Sequence, residues 1–182
     1  MLSLAIVVQL VHLLYHQVTT LVDFFPFNGV RFATCREHLI DAVSGFVPMA
    51  LPPLGFIFRR PDWMEIGVVC NFVILGGEIA TWWIPYFFGP SPKWLEIYSK
   101  IHRQTITVLP RRGTNPVPNL EHLILMALTV LTTIVSWVAY RSTQGAFSPQ
   151  MWKAWLVGGI VVSGVVFQCG IAGKAKSKDP AV

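Results

Sequence analysis

Five stretches of this chain are apolar for about the 20 residues that carry a helix across a hydrocarbon layer. Four are plain: residues 3–24, 66–88, 120–140 and 154–173, the last two uncharged from Leu123 to Tyr140 and from Ala154 to Gly173. The remaining stretch, residues 38–58, holds Asp41 together with Pro48, Pro52 and Pro53. Proline removes a backbone donor and disrupts a helix, so this segment is expected to cross with a kink or to turn back as a re-entrant loop. The pattern therefore predicts an all-α integral membrane protein, a helical bundle of five transmembrane spans in a single domain over residues 1–182.

Loops are short except between the third and fourth spans. There, residues 93–104 read KWLEIYSKIHRQ, and Trp94, Ile97, Tyr98 and Ile101 recur at helical spacing. The expectation is an amphipathic helix on the membrane interface, followed by a basic, turn-rich connection LPRRGTNPVPN. Trp82, Trp83 and Tyr86, with Trp137, Tyr140, Trp152 and Trp155, fall near span ends and match an aromatic belt.

Polar residues inside the spans are not scattered. At 100° per residue, Gln9, His12, His16, Thr19, Thr20 and Asp23 fall within an arc of about 100° on the first helix. His122, Thr129, Thr132, Thr133, Ser136 and Tyr140 form a comparable stripe on the fourth, and Asn71, Glu78 and Trp82 share a face of the third. A polar side chain is costly in lipid, so the three stripes are expected to face one another around an internal cleft. The fifth span offers Gly158, Gly159, Ser163 and Gly164, a small-residue surface for close helix packing.

Composition agrees with this setting. Hydrophobic types make up 53% and charged types 13% of the 182 residues, with mean hydropathy +0.56, whereas a soluble domain has about a quarter of its residues charged. The 14 Lys and Arg against 9 Asp and Glu lie between the apolar runs, which argues for membrane orientation and against nucleic-acid binding. Five spans place Arg31, Arg36, Lys93, Lys100, Arg103, Arg111, Arg112, Lys174, Lys176 and Lys178 on one side and only Arg59, Arg60, Arg141 and Lys153 on the other. The positive-inside rule then puts the N-terminus outside and the C-terminus in the cytoplasm; if residues 38–58 do not cross, the split is nearly even. With His12, His16 and Asp23 in it and no basic start, the first span does not read as a cleaved signal peptide. Cys35, Cys70 and Cys169 suggest neither a disulfide framework nor a thiol zinc site, and Cys169 is a weak lipidation candidate.

The candidate chemistry centres on Glu78, which this topology sets near the bilayer midplane with His12 and His16. A lone carboxylate at that depth is neutral or paired, and can donate a proton, carry one, or lock two helices together. His12 and His16 lie one turn apart, a chelating spacing, yet no H-E-x-x-H and no second histidine pair accompany them; hydrogen bonding inside the bundle is the better reading, and neither metal nor other cofactor is assigned. Near the cytoplasmic ends, Asp23 is expected to meet His122 or His38, while Glu37 and Glu121 suit helical first turns and Asn119 an N-cap. Arg111 and Arg112 could grip a phosphate head group or simply set topology. The candidate catalytic residues are thus Glu78, His12, His16, Asp23 and His122, with Asn71, Trp82, Arg111 and Arg112 as candidate substrate contacts.

Three functions fit these residues: an enzyme doing acid–base chemistry on an apolar or lipid-like substrate in a cytoplasm-facing cleft, a proton- or cation-coupled transporter or channel, and a non-catalytic subunit of a larger membrane complex. The partners implied are the bilayer, a lipid-like substrate, and either a membrane-protein partner or a second copy of the chain.

Overall fold

A computed structural model of the chain describes residues 1–144; the expected fifth span, its small-residue face and the basic tail lie outside them. The described residues are helical, with four helices long and apolar enough to cross a membrane. Helix α1 covers Leu2–Leu21 and α2 covers Cys35–Ile57. Residues Pro61–Phe88 form one long span made of α3 (Pro61–Glu78), a π-helical turn (Ile79–Trp83) and α4 (Ile84–Phe88). Helix α5 is Pro92–Ile101 and α6 is Leu120–Gln144. The long helices pack in a ring, α1 on α2, α2 on α3, α3 on α6 and α6 back on α1.

Local sequence explains the ends. Thr34 caps α2 in a capping box, its hydroxyl accepting from the Glu37 backbone N–H while the Glu37 carboxylate accepts from that of Thr34. Pro61 and Pro92 occupy first-turn positions, where a missing N–H costs nothing. At the start of α6, Asn119 Oδ1 accepts from the His122 backbone N–H at 3.0 Å, so Asn119 is the N-cap its place in the sequence suggests. Beyond Leu21, buried Asn28 folds back and donates to the carbonyls of Thr19 and Val22, closing α1 before Asp23.

Segment 38–58 is not re-entrant. It lies within a single helix in which Pro48, Pro52 and Pro53 are interior, and the neighbouring helix covers two of the three prolines. Pro52 packs on Gly67 of α3 so closely that a Cβ there would lie 2.6 Å from the Pro52 Cα.

The burial pattern inverts that of a soluble bundle. On α1 the buried residues are Ala5, Gln9, His12, His16, Thr19 and Thr20, while Leu4, Val7, Leu10, Val11, Leu14 and Val18 face outward. Helix α6 turns Thr129, Thr132, Thr133 and Ser136 inward and exposes Val130, Leu131, Ile134 and Val138. Polar groups inside and an aliphatic shell outside suit a hydrocarbon surround. The interior also divides along its length. The half holding the start of α1 and the end of α6 is an apolar core of Ala5, Phe56, Met64, Val68, Val135, Ala139 and Tyr140. The opposite half is hollow.

Helix α5 closes that hollow half. Its apolar face does not lie free on an interface: Trp94 and Tyr98 are buried, with the Trp94 ring 5.3 Å and the Tyr98 ring 6.5 Å from that of Trp82. The chain after α5 is tied across the same end by Ile106 N–H donating to the Pro26 carbonyl at 2.9 Å and Leu120 N–H to that of Ile106 at 2.8 Å.

Candidate functional site

The hollow half encloses a chamber of about 470 Å³, roughly the size of a small-molecule site. Helix α1 supplies His16, Thr19 and Thr20; α2 supplies Glu37, His38, Ile40, Asp41 and Ser44; the third span supplies Gly77, Glu78, Thr81 and Trp82; and α6 supplies Glu121, His122 and Leu125. Ile97, Ile101 and His102 close it from α5 and its end.

Glu78 is held by one oxygen only. The Thr129 hydroxyl, 2.8 Å from Glu78 Oε1, is also 3.0 Å from His12 Nε2, so His12 reaches Glu78 through a hydroxyl and not directly. Glu78 Oε2 is buried without a hydrogen-bond partner among the described residues. The π-helical turn begins at the next residue; such a turn inserts one extra residue into the helical repeat and so re-aims the side chains that follow, here Trp82.

His16 lies across the chamber against α2. The Gln17 amide donates to His16 Nδ1 at 3.1 Å and to the Ala42 carbonyl at 3.2 Å, which leaves the neutral ring's proton on Nε2. Asp41 on α2 is near enough to interact electrostatically with both His16 and His38.

At the capped end four rings cluster on Trp82. Ring centroids are 4.1 Å apart for Trp82 and His122, 5.0 Å for Trp82 and His102, and 5.2 Å for the two histidines. His122 Nδ1 donates to Asn119 Oδ1 at 2.6 Å, so Nε2 carries the lone pair. His102 lies outside the spans; burial pushes its imidazole down to about 4, so it is neutral at physiological pH, and its Nδ1 has no partner among the described residues.

The structure thus brings Glu78, His16, His122 and Trp82 to one chamber and sets His12 directly behind its wall. Four other predicted residues stand elsewhere. Asp23 falls past the end of α1 and bonds Arg31 in solvent, with Oδ2 3.0 Å from the guanidinium, which holds its carboxyl below the usual range; it meets neither His122 nor His38. His38 instead donates from Nε2 to the Val30 carbonyl. Asn71 is buried deeper, its amide donating to Ser136 Oγ at 3.3 Å, and Gln9 donates to the same oxygen at 2.8 Å, so Asn71 ties helices together below the chamber floor. Arg111 and Arg112 are exposed on the α5–α6 connection, with Arg112 over the Phe87 ring at 4.8 Å. Asp41, His38, His102 and Glu121 also line the chamber; the sequence offers His38 only as a partner for Asp23 and Glu121 only as a first-turn carboxylate, because their approach to the chamber depends on helix packing that periodicity does not encode.

The described lining has four carboxylates, four imidazoles and neither Lys nor Arg. Lys100 bonds one of these carboxylates from outside, its Nζ 2.8 Å from both Glu37 oxygens at the rim. No group of three described His, Cys, Asp or Glu side chains is arranged to hold a metal ion. No family model, curated protein or solved structure matches this chain.

Proposed function

We propose that the protein is a membrane-embedded enzyme that adds protons to and removes them from a neutral or cationic amphiphile held in the chamber. The observation that carries this reading is the state of Glu78, with Oε1 fixed by Thr129 and Oε2 buried and unpartnered at the chamber wall. An oxygen so placed is positioned to exchange a proton with a bound molecule. His16 Nε2–H opposite and the His122 Nε2 lone pair near the cap are the second donor and the acceptor that a two-step proton transfer needs. Trp82 and its aromatic neighbours suit the apolar body of the substrate or a positive centre on it.

Charge narrows the substrate. A phosphate or carboxylate head group would meet four carboxylates and no lining cation, at a cost that low dielectric magnifies. A hydroxyl or an amine meets no such penalty. Arg111 and Arg112 keep the role of topology and lipid contact. The seven cations of the described loops at the chamber end, against Arg59, Arg60 and Arg141 at the other, support a chamber facing the cytoplasm with the N-terminus outside. The apolar core under the chamber favours a site entered and left from one half of the membrane over a conduction path.

The test uses full-length protein in phosphatidylcholine vesicles, supplied with a total lipid extract and read by mass spectrometry. Wild type is expected to convert at least one neutral or amine-bearing amphiphile, and Glu78→Gln to convert none while melting at the same temperature. Proton flux that depends on Glu78 without any conversion would overturn the reading in favour of transport. Loss of a co-purifying membrane protein as the sole defect would do so in favour of a subunit.

A further inference from the structure

The walls of the chamber are not equally tight. Helices α2 and α3 form an antiparallel hairpin whose closed end is in backbone contact: a Cβ on Gly55 would lie 2.6 Å from the Trp63 carbonyl carbon, and one on Gly67 2.6 Å from the Pro52 Cα. Toward the chamber, Ser44 and Ile40 of α2 and Gly77 and Thr81 of the third span line the cavity from its two sides. Among the described residues, a Cβ on Gly77 would meet no atom within 4 Å, and Ser44, Ile40 and Asp41 are exposed although they line the chamber.

Depth decides what lies outside this gap. At 1.5 Å per residue, Gly77 stands about 16 Å from the Phe88 end of its span, and Ser44 about 13 Å from the start of α2. Both values fall near the middle of a hydrocarbon layer of about 30 Å. Val43, Phe46 and Val47 flank Ser44 and are exposed, an apolar rim suited to acyl chains rather than water. Elsewhere the elements around the chamber are tied together: Gln17 of α1 donates to the Ala42 carbonyl of α2, Tyr15 of α1 donates to the Glu121 carbonyl of α6, and α5 packs over the end, where the Glu37–Lys100 pair stands at the rim.

We propose that the Ser44–Gly77 gap is a lateral port through which the apolar chain of a bilayer-dissolved amphiphile enters the chamber, so that the ligand arrives from the membrane and not from the aqueous loops. This rests on the amphiphile reading above for the identity of the substrate, but the port itself is a claim about access. A helix pair that touches at the backbone at one end and opens at the other leaves a tapered slot, and a single chain fits where a second helix does not. Gly77 is the natural plug position, because an added side chain meets no neighbour and so costs the fold little.

The test places a single-chain amine with a mid-chain diazirine in phosphatidylcholine vesicles holding the full-length protein, followed by irradiation and peptide mapping. Expected are adducts on Trp82 or Thr81 inside the chamber and on Ile134 of the outer face; in Gly77→Phe the chamber adducts fall at least about tenfold while those on Ile134 persist and report correct insertion. Ser44→Phe, which narrows the slot from the opposite wall, gives the same result if Gly77→Phe does not assemble. Absence of chamber adducts in wild type, or adducts undiminished in both plugged variants, would overturn the port. Wild-type turnover separates the two readings: chamber labelling in a wild-type protein that converts no lipid leaves the port standing and removes the enzyme, whereas turnover without chamber labelling removes the port alone.

Discussion

The His16 ring occupies the space that a side chain at position 45 would need. A Cβ on Gly45 would lie 2.1 Å from His16 Cε1 and 2.6 Å from Nε2, so the imidazole rests directly on the backbone of α2. Gly45→Ala therefore forces either the ring or the helix to move. Overpacking of this kind costs roughly 1–3 kcal/mol, read as a lower melting temperature in detergent. Combined with His16→Ala the loss should be less than additive, because the second substitution removes the atoms that clash. A fully additive double variant would show that the two residues do not touch.

Thr129 carries two buried ionisable groups on one hydroxyl. With Oγ1 3.0 Å from His12 Nε2 and 2.8 Å from Glu78 Oε1, Thr129→Val keeps the shape and strands both partners. Leaving a buried polar group unsatisfied costs about 1–3 kcal/mol, so Thr129→Val is expected to melt earlier and to lose turnover, and Thr129→Ser to retain most of both. Equal behaviour of the Val and Ser variants would remove the hydroxyl from the account.

Much of this arrangement is legible in the letters, and the failures have a common cause. The stripe from Gln9 to Thr20 is buried as its spacing implies, because a helix in lipid has one economical way to place polar groups. Asp23 satisfies the same angular rule yet misses the site, since Asn28 ends α1 first and the helical period no longer applies. His38, Asp41 and His102 lie in the complementary blind spot. Asp41 sits in a segment that three prolines made ambiguous, and His102 is carried inward only because Trp94 and Tyr98 dock on Trp82, a tertiary contact with no periodic signature. Thr129 was visible as part of a stripe, but its bridge between His12 and Glu78 depends on α1, α3 and α6 meeting at one depth.

The cap should loosen in mild acid. His102, with its imidazole pushed down to about 4 by burial, is neutral in the folded protein, whereas the unfolded chain takes up a proton near 6.5. Its contribution to stability is fully present above about pH 6.5 and declines at roughly 1.4 kcal/mol per pH unit until about pH 4, at most about 3 kcal/mol in all. Asp23 acts separately and lower, because Arg31 holds its carboxyl below the ordinary range. Lowering the pH from 7 to 5 should red-shift tryptophan emission as Trp82 and Trp94 become wetter, and His102→Leu should flatten that response. An unchanged pH profile in His102→Leu would mean that another group governs the cap.

The apolar floor should make the chamber blind, and Phe56 is the largest fully buried side chain in it. Phe56 is wholly buried among Met64, Val68, Val135 and Ala139, between the Gln9–Ser136–Asn71 hydrogen bonds and the far surface. Truncation to Ala removes the ring without an alternative partner to collapse onto, and losses of this kind run to about 3–5 kcal/mol. Wild-type protein in vesicles with an entrapped pH-sensitive dye should leak protons no faster than protein-free vesicles, because a proton delivered to Glu78 has no polar path through that floor. Phe56→Ala should melt well below wild type; if it still assembles, its leak should rise, since water can then bridge the Asn71 layer to the Glu65–Tyr140 pair near the opposite end, where the hydroxyl lies 3.2 Å from the carboxylate. Rapid leak through wild type would show that the floor does not seal and would return the molecule to the transport reading.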